Sequence, residues 1–116
     1  MDLLTELQSL GVDVQDGLKR FAGSAALLEK MLKKFPAASA DLPVLVHFES
    51  GDLDKALANA HTLKGMTGNL SLTPLFTAYT EIVTLLRASQ PEKAKALLLD
   101  ILPVQEKITA CIQAHM

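Results

Sequence analysis

The chain has no tryptophan, one tyrosine, four phenylalanines and a single cysteine in 116 residues. One thiol, Cys111, closes no internal disulfide, so burial has to hold the fold together. With so few aromatic rings, the 49% of hydrophobic residues must build an aliphatic core. No uncharged apolar run approaches the roughly 20 residues needed to cross a bilayer. No basic segment leading into an apolar one opens the sequence, so a signal peptide is not expected. An excess of positive charge is missing too: 11 Lys and Arg face 13 Asp and Glu, for a formal charge of −2. Affinity for nucleic acid, which needs clustered cations, is therefore disfavoured. There is no Gly-rich phosphate loop, Walker pattern or other nucleotide motif. No His, Cys and carboxylate set has the spacing of a zinc site. We therefore expect no cofactor, no metal, no nucleic-acid or membrane contact, and a cytoplasmic location. A domain cut from a membrane-bound parent would read the same way.

What remains favours helices. Leu, Ala, Lys, Glu and Gln dominate, and runs of alternating β-branched residues are missing. Five or six helical segments are expected in a single domain covering residues 1–116. Leu3, Leu4, Leu7 and Leu10 recur at helical spacing and stop at Gly11. Asp13 caps a second helix that buries Val14, Leu18 and Phe21 and ends at Gly23; Ser24 caps a third, which Pro36 stops or kinks. Asp41 starts a fourth that runs to Gly51. Asp52 caps the next, whose apolar stripe is Leu53, Ala56, Leu57, Ala60, Leu63 and Leu70. Thr73 caps a helix with Pro74 in its first turn and a buried face of Leu75, Phe76, Tyr79, Ile82, Val83 and Leu86. Gln90 and Pro91 open the last helix, to about Ala114, with Pro103 inside it. Short connections make neighbours antiparallel, which predicts an all-α, up-and-down four-helix bundle with short extra N-terminal helices, and a monomer is expected.

The unusual stretch is AHTLKGMTGNL, residues 60–70. It puts two glycines into a helix, each costing roughly 0.5–1 kcal/mol against alanine. At about 100° per residue, His61 lies off the apolar stripe and points to solvent. It shares its face with Leu57, Ala58, Lys64, Gly65 and Gly68, most of them tiny. The imidazole thus stands on a nearly bare strip of backbone, with one cation a turn away. A neutral imidazole is a good nucleophile near neutral pH, and Lys64 would offset the charge of a phosphoryl group placed on it. If both glycines are helical, alanine at either should stabilise the domain.

These residues resemble the motif of histidine-containing phosphotransfer (HPt) domains, which read approximately His-x-x-Lys-Gly followed by small residues. His61, Lys64, Gly65, Gly68 and Asn69 fit that run. Upstream, Asp13, Gly17, Leu18, Arg20, Phe21 and Gly23 are also similar to the start of such domains, and the resemblance spans roughly residues 11–87. Ser71 and Leu72 depart from it, because many members carry Gly-Ala there. The resemblance implies a four-helix bundle that takes a phosphoryl group from the phospho-aspartate of one response-regulator receiver domain and passes it to another. It implies partners in receiver domains and a sensor kinase, with the chain either free-standing or one domain of a hybrid kinase. By it His61 is phosphorylated and Lys64 steadies the phosphoryl group. Leu57, Ala58, Gly65, Gly68 and Asn69 would meet the partner, and the magnesium of such a complex would sit on the receiver.

Each assignment has a plainer competitor. His47 and His115 read as ordinary solvated histidines, Gly68 as the start of helix fraying, Asn69 as a local cap, Arg87 as a solvated residue near a helix end, and Cys111 as a small core residue. Two other functions stay open: a helical adaptor that binds a partner without phosphotransfer, and a hydrolase using His61 as general base. The second lacks a neighbouring nucleophile and an orienting carboxylate.

Overall fold

The computed structural model describes residues 2–116, and every regular element among them is helical. The order is α1 (Leu3–Ser9), α2 (Val14–Arg20), α3 (Ala25–Leu32), α4 (Phe35–Ala40), α5 (Val44–Glu49), α6 (Leu53–Asn69), α7 (Thr73–Arg87) and α8 (Pro91–Ala114). The three long helices form a continuous series in which α6 packs on α7 and α7 on α8. The short α5 bridges α6 and α8, while α1 and α4 also lie on α8. At ~1.5 Å per residue, the 24 residues of α8 run nearly the whole 40 Å long axis.

Helix ends follow local chemistry. The Asp2, Asp13, Ser24 and Asp52 side chains accept from the N–H groups of Thr5, Asp16, Leu27 and Lys55, satisfying donors that a helix start leaves open. At the other ends, Gly11 and Gly51 take positive φ, as the glycine stops required. The α6 terminus is built alike but without glycine: Ser71 has φ 55°, its N–H donates to the Gly68 carbonyl at 3.2 Å, and the Leu72 N–H reaches back to Thr67 at 2.9 Å. This is the Schellman arrangement, in which one left-handed residue satisfies the last carbonyls of the helix.

Several sequence expectations need correcting. Eight helices are described where five or six were expected, one of them because the third is broken: α3 stops at Leu32, and Pro36 lies in the first turn of α4. Asp41 follows α4 and caps nothing ahead; α5 begins only after Pro43, since a proline disfavours helical backbone in the residue before it. Thr73 is no cap either. Its hydroxyl donates to the Ser71 carbonyl, and α7 starts from a buried Leu72, whose carbonyl accepts from Leu75 and Phe76. The second helix does stop ahead of Gly23, φ 79°, but Ala22 before it is left-handed too, φ 55°. Leu53 and Phe76, assigned to buried faces, are 40% and 38% exposed. The last helix is as expected, a single α8 with Pro103 inside it.

The core is aliphatic, as so few aromatics require. Leu63, Leu75, Ile82, Leu98 and Ile108 are essentially inaccessible, and Tyr79 is the largest side chain among them. Tyr79 donates its hydroxyl to the Gln105 side chain, so the ring is buried with its polar end satisfied, and burial pushes its pKa up to about 12. In α6 the buried stripe is Ala56, Ala60, Leu63 and Thr67. Thr67 is tolerated there because its hydroxyl donates to the Leu63 carbonyl at 2.7 Å.

The two helical glycines of α6 meet different surroundings. A Cβ on Gly65 would find nothing within 4 Å. A Cβ on Gly68 would lie 3.0 Å from two atoms of the Phe76 ring, so that ring already fills the space the missing side chain leaves. The expectation that alanine stabilises at either position therefore holds for Gly65 alone.

At the ends of the chain, Glu6 of α1 joins the last turn of α8. His115 Nε2 lies 3.1 Å from Glu6 Oε2, and the Cys111 thiol donates to the same oxygen at 3.3 Å. His115, followed by Cys111, holds the Glu6 carboxyl below its usual range. Burial, helped by that carboxylate, pushes the Cys111 thiol up to about 11, the opposite of a reactive thiolate.

Two stability predictions result. Gly65→Ala should raise the free energy of unfolding by about 0.5–1 kcal/mol, whereas Gly68→Ala should gain nothing because overpacking against Phe76 cancels the entropic benefit. Thermal melts of the two variants check this, and equal stabilisation would disprove the packing account. For Glu6, a lowered folded pKa means that its contribution is complete above the 4.5 of a free glutamate and disappears as pH falls through the lower folded value. Urea titrations should show Glu6→Gln less stable than the parent at neutral pH, with the gap closing below pH 4.5.

Candidate functional site

His61 lies in the third turn of α6, one residue past the buried Ala60 and two before the buried Leu63. Those neighbours anchor the helix and turn the imidazole outward, where it is exposed. Lys64 follows one turn later, half-buried, and makes no ion pair among the described residues. Gly65 is exposed and bare.

A concavity of about 470 Å³ opens in front of this face. From α6 and its terminus it is lined by His61, Lys64, Gly65, Gly68 and Asn69. The structure thus brings five of the sequence-selected residues together around one space. Leu57 and Ala58 do not line it: Leu57 packs against the core, and Ala58 is exposed one turn before His61. Arg87, at the far end of α7, is absent from its walls as well. Of the other histidines, His47 is half-buried on α5, and His115 is engaged with Glu6.

The remaining walls come from residues that the sequence reading left without a role in the site. Asp13, Asp16 and Arg20 reach in from the start and end of α2, and Ser71, Thr73 and Phe76 from the α6–α7 turn and the first turns of α7. Phe76 enters because Gly68 lets its ring lie on α6. Ser71, 4% exposed, joins the two groups: its hydroxyl donates to Asp16 Oδ2 at 2.6 Å, and its carbonyl accepts from the Asp13 N–H at 3.2 Å. Arg20 Nε donates to the same Asp16 oxygen at 2.9 Å. Arg20, and after it Ser71, hold the Asp16 carboxyl below its ordinary range, so it is ionised at neutral pH. The departure of Ser71-Leu72 from Gly-Ala is accounted for here. Serine accepts the left-handed turn that glycine would adopt freely and gains the hydroxyl bond to Asp16 of α2, while Leu72 is wholly buried in the core. A sequence signal for Ser71 existed in the departure itself, but nothing local marked Asp16 as its partner 55 residues away.

Chemically, the concavity offers one exposed nucleophile, two cations and two carboxylates, with open backbone at Gly65 for a partner to approach. No group of three or more His, Cys, Asp or Glu among the described residues could hold a metal ion. No described helix is long and apolar enough to cross a membrane. Comparison with curated proteins and with solved structures returns no match. The family model described as the Hpt domain matches residues 21–114, from the end of α2 through α8. On that match, which takes in most of the sequence, the chain belongs to the Hpt domain family, whose members carry phosphoryl groups on histidine in phosphorelays.

Proposed function

We propose that this chain is the phosphoryl carrier of a His-Asp phosphorelay and that His61 is its phosphorylated residue. The observation that carries the reading is the exposed imidazole on a helix face left open at Gly65, with the unpaired ammonium of Lys64 one turn away. In the forward step an imidazole nitrogen attacks the phosphorus of a receiver's phospho-aspartate. The N–P bond forms as the P–O bond to the aspartyl carboxylate breaks, and the carboxylate is the leaving group. Transfer onward to a second receiver is the same exchange reversed. Neither direction needs ATP, and the chain acts as carrier, not kinase.

Lys64 stabilises the phosphoryl oxygens by charge and donated hydrogen bonds. Gly65 keeps the strip beside His61 low enough for the receiver's active site to close over it. Ala58, Asn69 and the exposed part of Leu57 form the margin of the docking face, whereas Gly68 acts through the Phe76 ring it admits. The magnesium of the complex is held by the receiver's carboxylates. The wider assignment is a single monomeric domain over residues 1–116, folded as an up-and-down four-helix bundle with α6, α7 and α8 as three members. It works in the cytoplasm with response-regulator receivers and a sensor kinase, either free or as one domain of a hybrid kinase.

Incubation with phosphorylated receivers, followed by residue mapping, tests the reading. The label should map to His61, be lost in acid and survive base. His61→Gln should abolish it with the melting curve unchanged. Label on His47 or His115 would overturn the site, and no label from any receiver would leave the chain a non-transferring adaptor. Lys64→Ala should slow transfer about tenfold, consistent with roughly 1–2 kcal/mol for one partly exposed charge-assisted contact. Gly65→Gln, expected to fold because a Cβ there meets nothing within 4 Å, should slow receiver transfer by about an order of magnitude because its side chain occupies the docking space.

A further inference from the structure

Asp16 and Arg20 have no part in that reading, and both precede the matched residues, yet they line the same concavity as His61 and Lys64. Their arrangement is specific. A single oxygen, Asp16 Oδ2, accepts from Arg20 Nε at 2.9 Å and from the Ser71 hydroxyl at 2.6 Å. The two donors approach from different segments, one within α2 and one from the turn closing α6, so the carboxylate is fixed against both. Ser71 is itself held, buried in a left-handed turn with its carbonyl on the Asp13 N–H.

Arginine carries five N–H donors in a planar fork. Only Nε is engaged here: among the described residues, the terminal nitrogens of Arg20 make no hydrogen bond, and the side chain is 48% exposed. The pair with Asp16 therefore aims the guanidinium without consuming it. With neutral His61, the formal charges of Asp13, Asp16, Arg20 and Lys64 around the concavity cancel. A phosphoryl group adds about −1.5 to −2. One lysine does not offset that charge beside two carboxylates.

We propose that Arg20 is a second phosphoryl-binding cation of this site, with its free guanidinium nitrogens as donors, and that Asp16 and Ser71 are positioning residues that hold it. The proposal rests on His61 being the phosphoryl acceptor. It competes with one plain alternative, that Arg20 only neutralises Asp16, as exposed i,i+4 pairs commonly do with little effect.

The two are separated by a double-mutant cycle using phosphoramidate, a small donor that needs no receiver. The imidazole takes its phosphoryl group, the P–N bond of the donor breaks and ammonia leaves. The labelling rate of His61 is read against phosphoramidate concentration for the full chain, with melting curves on every variant. Arg20→Ala should slow labelling about fivefold to tenfold, the effect weakening at high salt. Arg20→Lys should fall short of the parent, because one ammonium does not serve Asp16 and the phosphoryl group with a fixed fork. Ser71→Gly, which keeps the turn but removes the hydroxyl, should slow labelling about twofold with Arg20 present and have no effect with it absent. The decisive variant is Asp16→Asn combined with Arg20→Ala. If Arg20 binds the phosphoryl group, the double variant remains slower than the parent, because losing the Asp16 charge relieves repulsion but does not replace the guanidinium donors. Recovery to the parental rate would show that Arg20 merely cancels Asp16 and would overturn the proposal, as would an unaltered rate in Arg20→Ala. Failure of the parent chain to label His61 at all would instead remove the reading beneath it.

Discussion

The rotation of α6 about its own axis decides almost everything about the site. A helix presents a given residue to solvent only if the opposite face is held, and α6 is held by Ala56, Ala60, Leu63 and Thr67 against its neighbours. Two of these are alanines, which let the adjoining helices approach closely, and Leu63 supplies the bulk. With that stripe inward, His61 has to face out, and Lys64 and Gly65 have to follow it around the helix. Thr67 extends the stripe where a leucine might stand, at no expense in unsatisfied polar groups because it donates to its own helix. The exposure of the nucleophile is thus a consequence of packing on the far side of the helix.

The second constraint is the turn at Ser71. Left-handed backbone costs a non-glycine residue roughly 1–2 kcal/mol, so serine there needs compensation. It comes from the closing hydrogen bonds of the Schellman arrangement, the burial of Leu72 and the bond to Asp16. One residue therefore closes α6 just ahead of the Leu72 start of α7 and ties that turn to α2. The tie at Ser71 adds to the burial of Val12 and Val14 in bringing Asp13, Asp16 and Arg20 to the histidine's side of the molecule. Local backbone geometry and site electrostatics are here the same feature.

Much of this was legible in the sequence, and the reason differs by element. The 3.6-residue periodicity of α6, α7 and α8 and the Asp52 cap defined the long helices, because a long amphipathic repeat has only one face to bury. The His-x-x-Lys-Gly run identified the cluster on α6, since residues three and four apart share a face in any helix. Short helices were less readable. The break between α3 and α4, the start of α5 behind Pro43 and the cap before α7 depend on single-residue backbone choices that periodicity does not encode. The far wall of the site was not readable at all: the pairing of Ser71 with Asp16 spans 55 positions and exists only once α2 and the α6–α7 turn are packed. Phe76 misled for a related reason. Its spacing fits the buried face of α7, but its ring leaves that face to lie over Gly68.

The two glycines of α6 show why a motif alone underdetermines its own explanation. Both sit in regular helix and carry the same backbone penalty. At Gly65 the missing side chain faces open space, so nothing in the isolated chain benefits from its absence, and only something arriving from outside can use the gap. At Gly68 the gap is already used, because the Phe76 ring occupies it and becomes a wall of the concavity. For folding alone, alanine would gain nothing at Gly68, where a Cβ presses on the Phe76 ring, but would be favoured at Gly65, where it is free to enter. A position kept weak with no internal partner is the signature expected of a contact surface. On the proposed reading, Gly65, more than Gly68, marks the docking strip beside His61.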